Sequence, residues 1–213
     1  MRIAVVVLIA ALLAGGALVL ARQSGAPERE AQSESPNTVS SAPSAAADPP
    51  RPARRGRVVD VDVAFKSLEL IKPVKIKPVG DFTLPMPDGK TFRLSEYHGK
   101  MVFLNFWATW CEPCKEEMPA MERLWRAHQG QGFVMVGVSL DSNPKVVPPF
   151  IAQYKLTFPI ALDSKMEVAN TYGVRALPTS FIVDREGRMT ALALGPRPWD
   201  NDAAHSLVEG LTR

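Results

Sequence analysis

Cysteine and histidine are scarce in this chain of 213 residues, which has two cysteines and three histidines. Two cysteines are too few for a fold that depends on a framework of disulfides. A structural zinc ion needs four ligands, and no histidine stands at ligand spacing from the cysteines, so a metal site is not expected. The cysteines themselves, Cys111 and Cys114, are separated by two residues. That spacing makes them a candidate chemical site.

An excess of one charge is also missing from most of the chain. The formal net charge of +3 comes from residues 1–57, which carry seven basic and four acidic residues, whereas residues 58–213 carry 18 of each sign. A neutral body without a basic stripe argues against a nucleic-acid partner. The proportions of 46% apolar and 22% charged residues are ordinary for a globular protein and exclude wholesale disorder.

A long apolar run does occur near the N-terminus. Residues 3–21 are uncharged over 19 positions, and a helix of that length would span about 28 Å, close to the hydrocarbon thickness of a bilayer. We predict a transmembrane anchor over residues 1–21 rather than a cleavable signal peptide, because the apolar region of a signal peptide is usually shorter. Both interpretations place the remaining chain on the extracytoplasmic, periplasmic side, and the anchor predicts a location at the inner membrane.

The next part of the chain differs in composition. Residues 22–57 are rich in alanine, proline and serine and hold hardly any large apolar side chain. Such a segment cannot offset the entropy lost on ordering, so a disordered linker is predicted. Residues 58–79 are expected to be extended, and their membership of the folded domain stays open. Residues 80–213 form the predicted domain, which we expect to be monomeric.

Within that domain, apolar runs typical of strands alternate with segments of helical periodicity. A short hairpin comes first, followed by a strand that is apolar on both faces, and a second hairpin precedes the last helix. This order predicts an α/β sheet that is parallel at its centre and antiparallel at one edge. The predicted strands cover residues 82–84, 91–94, 101–107, 133–139, 158–162, 179–183 and 188–194, and the predicted helices cover residues 112–128, 143–154, 164–172 and the chain from 200 onward.

The two cysteines follow a buried strand and open a helix. The positive end of a helix favours a thiolate, and the thiolate is the form that attacks a disulfide. We assign Cys111, at the more exposed position, as the nucleophile and Cys114, one turn further in, as the resolving thiol. Glu112 is expected to raise the pKa of Cys111 and to oppose the helix dipole partly. An inert disulfide is the alternative, although so short a loop would stabilise a fold little.

Residues 105–119 read Asn-Phe-Trp-Ala-Thr-Trp-Cys-Glu-Pro-Cys-Lys-Glu-Glu-Met-Pro. This segment resembles the active site of the membrane-anchored TlpA/ResA-like thiol–disulfide oxidoreductases of the thioredoxin superfamily. Residues 80–100 resemble the entry hairpin of that family, and residues 177–179 resemble its cis-proline loop. The resemblance covers about residues 80–195. It implies a thioredoxin-like fold, with a central mixed sheet flanked by helices, an N-terminal hairpin and a central αβ insertion.

The resemblance also implies roles for individual residues. Trp110 matches an aromatic residue that packs beside the site, although a core aromatic is the alternative. Pro178 matches the cis-proline that faces the cysteines, next to backbone that would pair with an extended substrate. Pro113 lies in the first helical turn, where proline costs little. The expected substrate-binding residues are Trp110, Glu112, Pro113, Leu177, Pro178 and Thr179.

Glu117 resembles the active-site glutamate of the family. It follows Cys114 by three residues and therefore shares its helix face. Asn105 stands where thioredoxin has a buried aspartate, so Glu117 is the expected acid–base group for the Cys114 proton. Its pKa should be raised by apolar neighbours, Trp110 and Pro178. The alternative is an ordinary surface acid, of which Glu116 is the better example.

The family implies a reductase that acts on disulfides of specific partner proteins, such as apocytochrome c or a copper-site protein. Its electrons would come from a transmembrane thiol reductant, and no cofactor is expected beyond the redox-active disulfide of Cys111 and Cys114. A disulfide-forming oxidant is one alternative, and a copper-delivery protein is another. A peroxidase with a cysteine outside the pair is disfavoured because there is no third cysteine.

Overall fold

The computed structural model of the protein describes residues 59–75 and 78–213. The predicted membrane anchor at residues 1–21 and the predicted linker at residues 22–57 lie outside the described residues. Within the described ranges, no helix combines the length and the apolar character that a membrane span requires.

The described residues form a domain of helices around a mixed sheet. Along the chain its elements are α1 (Val61–Ser67), β1 (Thr83–Pro85), β2 (Thr91–Arg93), β3 (Met101–Trp107), α2 (Glu112–His128), β4 (Phe133–Ser139), α3 (Val147–Tyr154), β5 (Ile160–Leu162), α4 (Glu167–Thr171), β6 (Thr179–Val183), β7 (Met189–Leu194) and α5 (Asp202–Thr212). The order in the five-stranded sheet is β5-β4-β3-β6-β7, while β1 and β2 form a separate hairpin. Strands β3, β4 and β5 are mutually parallel, and β6 and β7 add an antiparallel edge. The predicted α/β architecture is confirmed.

Strand β3 lies in the middle of this sheet and is buried along its whole length. Because successive side chains of a strand point to opposite faces, Met101, Phe103 and Trp107 join the apolar cluster beneath α2. The intervening side chains of β3 join the cluster on the other face. Asn105 shares the parity of the first set and is therefore a buried polar group on the side of the sheet that α2 covers.

Helix α2 begins and ends where the sequence predicts. Cys111 is its N-cap residue, Pro113 lies in its first turn, and Pro119 is accommodated inside it. The buried side chains Cys114, Met118 and Met121 recur at the three- and four-residue spacing of one helix face. This face holds the helix against the sheet, so the first turn of α2 is presented at the carboxyl end of β3.

Residues 58–63 were expected to be extended, and that expectation is wrong for residues 61–63. Helix α1 begins after Asp60, whose carboxylate accepts a hydrogen bond from the N–H of Asp62. The valines of this segment suggest a strand, but Ala64, Phe65 and Leu68 are buried at helical spacing. Burial of this face against the core outweighs the modest helix propensity of valine.

Beyond α1, residues 68–79 were expected to be extended. Those of them that the structure describes, 68–75 and 78–79, form isolated bridges rather than a strand, between Ile71 and Leu192 and between Pro78 and Arg188. These bridges join the segment to the β7 side of the sheet.

Three helix starts also differ from the prediction. Helix α5 begins at Asp202 rather than at residue 200, and Asn201 is its N-cap residue. Helix α4 is shorter than the predicted helix at 164–172, and Asp163 rather than Ser164 holds its first turn. The Asp163 carboxylate accepts hydrogen bonds from the N–H groups of Glu167 and Ala169. Asn143 caps a 3₁₀ turn that leads into α3, rather than α3 itself. A carboxylate can reach amide donors a full turn away, which sequence spacing alone does not reveal.

Candidate active site

The two cysteines lie at the start of α2 and form a disulfide with a Cα–Cα distance of 5.3 Å. The side chain of Cys111 caps the helix, since its Sγ accepts a hydrogen bond from the Cys114 N–H at 3.3 Å. Cys111 is 5% exposed and Cys114 is completely buried. Cys111 is thus the more accessible cysteine and the one nearest the helix N-terminus, where an anionic form is stabilised.

The loop that leads into Cys111 is fixed by a buried aspartate that our sequence reasoning missed. Asp141 accepts hydrogen bonds from the Thr109 hydroxyl at 2.6 Å and from the Thr109 N–H at 3.0 Å. Ser139, at the end of β4, donates a further bond to Asp141 at 2.8 Å. Polar residues after two neighbouring parallel strands are a sequence signal that could have indicated this contact. The network holds the peptide before the nucleophile in one position.

A groove of about 390 Å³ opens beside Cys111. Trp110 is 69% exposed, so it belongs to the surface of the site and is not a core aromatic. Met166 is another exposed apolar side chain along this groove. The lining residues are Trp110, Cys111, Pro113, Leu140, Met166, Val174, Arg175, Ala176 and Leu177. The mostly apolar lining suits an extended polypeptide that brings a disulfide to Cys111.

Some of the expected substrate-binding residues do not line the groove. The peptide bond between Leu177 and Pro178 is cis, as the resemblance implies, but Pro178 and Thr179 are buried. Glu112 points to solvent and forms an ion pair of 2.7 Å with Lys115, which raises the pKa of that lysine. The negative charge expected to oppose the Cys111 thiolate is therefore paired with a positive one.

Glu117 lies deep in the site, with only 3% of its surface exposed. Its Oε1 accepts a hydrogen bond of 2.8 Å from the Asn105 amide. Its Oε2 accepts one of 2.9 Å from the indole of Trp199 and one of 3.3 Å from the backbone N–H of Arg197. Glu116, one residue before, is exposed. The arrangement is that of a buried acid held by three donors.

Burial raises the pKa of Glu117 to about 7, while the hydrogen bonds from Trp199, Asn105 and Arg197 act in the opposite direction. The rise and its origin in burial match our expectation, but Trp110 is exposed and does not supply that burial. A carboxyl group with a pKa near neutrality can both accept and release a proton under physiological conditions.

Asn105 connects this acid to the sheet. Its Nδ2 also lies 3.0 Å from the hydroxyl oxygen of Ser180, its register partner on β6. Sequence reasoning identified Asn105 only as a departure from thioredoxin and missed Ser180 and Trp199 altogether. A buried polar residue in the middle of an apolar strand was the available signal, because such a group needs a buried partner.

Among the described residues, no group of three or more histidine, cysteine or acidic side chains is arranged to hold a metal ion. The reactive groups of the site are the sulfurs of Cys111 and Cys114 and the carboxyl group of Glu117, which recur at three-residue intervals at the start of α2. Such a set can exchange thiols with a disulfide and move one proton.

Comparison with known proteins agrees with this geometry. The model of the AhpC/TSA family matches residues 77–192. The thiol–disulfide oxidoreductase ResA of Geobacillus thermodenitrificans is 43% identical over 115 residues, which are 54% of this chain and 66% of that protein. ResA of Bacillus subtilis is 39% identical over 115 residues, or 54% of this chain and 64% of that protein. The chain thus matches slightly less than two thirds of the length of these curated relatives.

Solved structures show the same fold. A thiol:disulfide interchange protein of the thioredoxin family from Chlorobium tepidum has a TM-score of 0.58 and 26% identity, covering 66% of this chain and 99% of its own. StoA from Bacillus subtilis has a TM-score of 0.50 and 35% identity, covering 55% of this chain and 89% of its own.

The fold and the cysteine site are those of a thioredoxin-like domain of the thiol–disulfide oxidoreductase class. The chain belongs to the AhpC/TSA family, and the resemblance to ResA-like oxidoreductases is confirmed by its relatives.

Proposed function

We propose that this protein reduces disulfides in partner proteins by thiol–disulfide exchange at Cys111 and Cys114. The observation that carries the proposal is the position of a buried acid, Glu117, on the same helix face as the buried sulfur of Cys114. An inert structural disulfide has no use for a proton acceptor of that kind, whereas a dithiol that must resolve a mixed disulfide does.

The reaction begins with the reduced protein. The Cys111 thiolate, favoured by the helix N-terminus, attacks one sulfur of the substrate disulfide. The substrate S–S bond breaks as a mixed disulfide forms, and the other substrate sulfur leaves as a thiolate that takes a proton from water. The apolar groove beside Cys111 would hold the substrate segment during this step.

The second step needs the Cys114 thiol to lose its proton. Burial disfavours a thiolate, and Cys114 is fully buried, so a nearby base is required. The carboxylate of Glu117 accepts the proton, and Cys114 then attacks the Cys111 sulfur. The second substrate sulfur leaves as a thiolate and takes up a proton, Glu117 releases the proton that it accepted, and the Cys111–Cys114 disulfide forms. Two electrons pass from the protein to the substrate, and a separate dithiol donor must restore the reduced protein.

The substrates and the location follow from the resemblance and are part of the proposal. We infer a protein anchored to the inner membrane by residues 1–21, with its domain on the periplasmic side and a transmembrane thiol reductant as its electron donor. Suitable substrates are apocytochrome c or a copper-site protein. An extended substrate segment would pair with the backbone near Pro178, and its apolar side chains would occupy the groove next to Trp110.

A disulfide-forming oxidant is the second candidate. Strong oxidants owe their potential to a stabilised thiolate, and Glu112 was expected to oppose one at Cys111. The ion pair of Glu112 with Lys115 partly offsets this negative charge, which weakens the argument against an oxidant. A redox titration against glutathione separates the two directions, because a reductase has a more negative potential than an oxidant.

The proposal is tested by trapping partners on the full-length Cys114→Ser protein in its native membrane. We expect mixed disulfides through Cys111, released by dithiothreitol and absent from a Cys111→Ser/Cys114→Ser control. Adducts that form through Cys114 in a Cys111→Ser protein, but not through Cys111, would reverse the assignment of the nucleophile. Absence of any disulfide-linked adduct would contradict the proposed activity.

A further inference from the structure

The chain between β7 and α5, residues 195–201, contributes to the site without a role in the steps above. It carries Trp199, whose indole Nε1–H donates to Glu117 Oε2 at 2.9 Å. The backbone N–H of Arg197 approaches the same oxygen at 3.3 Å. Because Asn105 binds the other oxygen, the carboxylate is held from two sides by parts of the chain that are far apart in sequence.

Packing and hydrogen bonds hold the indole of Trp199 in place. Trp199 is completely buried, and its ring meets Phe103 of β3 edge to face with centroids 4.7 Å apart. Arg197 ties the same stretch of chain to the segment after α1, since its Nε donates to the Leu68 carbonyl at 2.8 Å. A donor fixed in this way needs little reorganisation when charge appears on the carboxyl group.

We propose that Trp199 is a positioning residue for Glu117, whose indole N–H holds the carboxylate on the Cys114 face of α2. This inference rests on the proposed function, in which Glu117 accepts the Cys114 proton. A hydrogen bond to an ionised group favours the ionised form. Loss of the indole donor should therefore tighten proton binding at Glu117 by about tenfold to a hundredfold, the usual strength of a hydrogen bond to a charge.

The first experiment compares Trp199→Phe with Trp107→Phe in the full-length protein in detergent micelles. Both indoles are fully buried, but the Nε1 of Trp107 has no hydrogen-bond partner among the described residues. Trp107→Phe is thus a matched control for the loss of a buried ring. Carbon-13 NMR follows the ionisation of the Glu117 carboxyl group. Its signal is identified because it is missing from the spectrum of Glu117→Gln.

We expect the midpoint of the Glu117 titration to rise by about one to two pH units in Trp199→Phe, because a donor to the carboxylate is lost, and to stay unchanged in Trp107→Phe. An unchanged midpoint in Trp199→Phe overturns the inference and leaves Trp199 as a core side chain. Equal displacements in both variants overturn it as well, because they would reflect a general loosening of the core.

A second readout separates this inference from the proposed function. In Trp199→Phe, the pH profile of the mixed-disulfide resolution rate should shift to higher pH by the same interval as the Glu117 titration. In a Glu117→Gln background, the additional Trp199→Phe substitution should leave the profile unchanged. If the titration moves while the profile does not, Trp199 positions Glu117 as proposed, and the role of Glu117 as the proton acceptor is overturned.

A third measurement needs no substitution of Trp199, in case Trp199→Phe fails to fold. The indole nitrogen-15 resonance of Trp199, assigned through its contacts with Phe103, should shift with pH at the Glu117 midpoint in the wild-type protein. The shift should vanish in Glu117→Gln. An indole resonance that does not respond to pH across that midpoint overturns the inference.

Discussion

Replacement of Glu117 by glutamine should slow the resolution of the mixed disulfide and change its dependence on pH. Glutamine preserves the shape of the side chain and one oxygen that can accept from Trp199. The side-chain amide of the glutamine would face Asn105, whose Oδ1 has no partner among the described residues. A rotation of the Asn105 side-chain amide by about 180° would let this Oδ1 accept a hydrogen bond from the glutamine. The variant should therefore fold while losing the proton acceptor.

The expected magnitude follows from the pKa of about 7 that burial produces at Glu117. About half of the carboxyl groups are ionised at pH 7 and about one in a hundred at pH 5. The wild-type resolution rate should thus rise about fiftyfold between these pH values and level off above pH 8. A general base contributes about 10²- to 10⁴-fold. Because only half the base is available at pH 7 and hydroxide can substitute for it, we expect a deficit of about ten- to a hundredfold at that pH.

Rapid mixing of the reduced protein with a peptide disulfide, followed by acid quench at pH 5 to 9, measures the decay of the mixed disulfide. The Glu117→Gln deficit should shrink as the pH rises, because hydroxide increasingly replaces the missing base. Glu116→Gln is the matched control, since its side chain is exposed. Equal effects from both variants, or a wild-type profile without an inflection near pH 7, would refute the reasoning.

Three further outcomes are expected. The pKa of Glu117 is about 7 in the folded protein against a usual value of 4.5, so the unfolded chain loses this proton first as the pH rises. Wild-type stability should therefore decline by about 3 kcal/mol between pH 4.5 and 7 relative to Glu117→Gln, as urea unfolding at several pH values would show; parallel curves would argue against the raised pKa. Trp110→Ala should lower kcat/KM for a protein disulfide several-fold with an unchanged Tm, because its ring is exposed beside the groove; an equal loss with a minimal disulfide such as oxidised glutathione would place its effect on the cysteines instead. Gly137→Ala should destabilise the domain by about 1–3 kcal/mol, since a Cβ there would lie 2.8 Å from both Ile160 Cδ1 and Trp107 Nε1; a Tm equal to that of the wild type would mean that these side chains yield freely.

Much of the framework could be predicted because its signals are local. Strand β3 has a continuous apolar run, and α2 has a helical face, an N-terminal proline and a following glycine. Each of these features depends on residues a few positions apart, for which the backbone has few alternatives. The cysteine spacing and its place at the start of a helix belong to the same category.

Helix α1 shows where local signals become ambiguous. Its valines favour an extended chain, whereas Ala64, Phe65 and Leu68 have helical spacing, and both patterns fit a segment of seven residues. So short a helix is marginal in isolation. Its conformation is decided by burial against the core that the rest of the chain supplies.

In the active site, too, some features could be predicted from local sequence signals and others could not. Local sequence signals are sufficient to place Cys111 at the start of a helix, Cys114 one turn inside it and Glu117 on the face of Cys114, because helix periodicity relates all three. The burial of Glu117 and the donors that hold it depend on tertiary contacts, since Asn105 lies on β3 and Trp199 lies 82 positions after Glu117. Burial and long-range hydrogen bonds depend on how strands and loops assemble, and these are the interactions that bring the pKa of Glu117 to about 7.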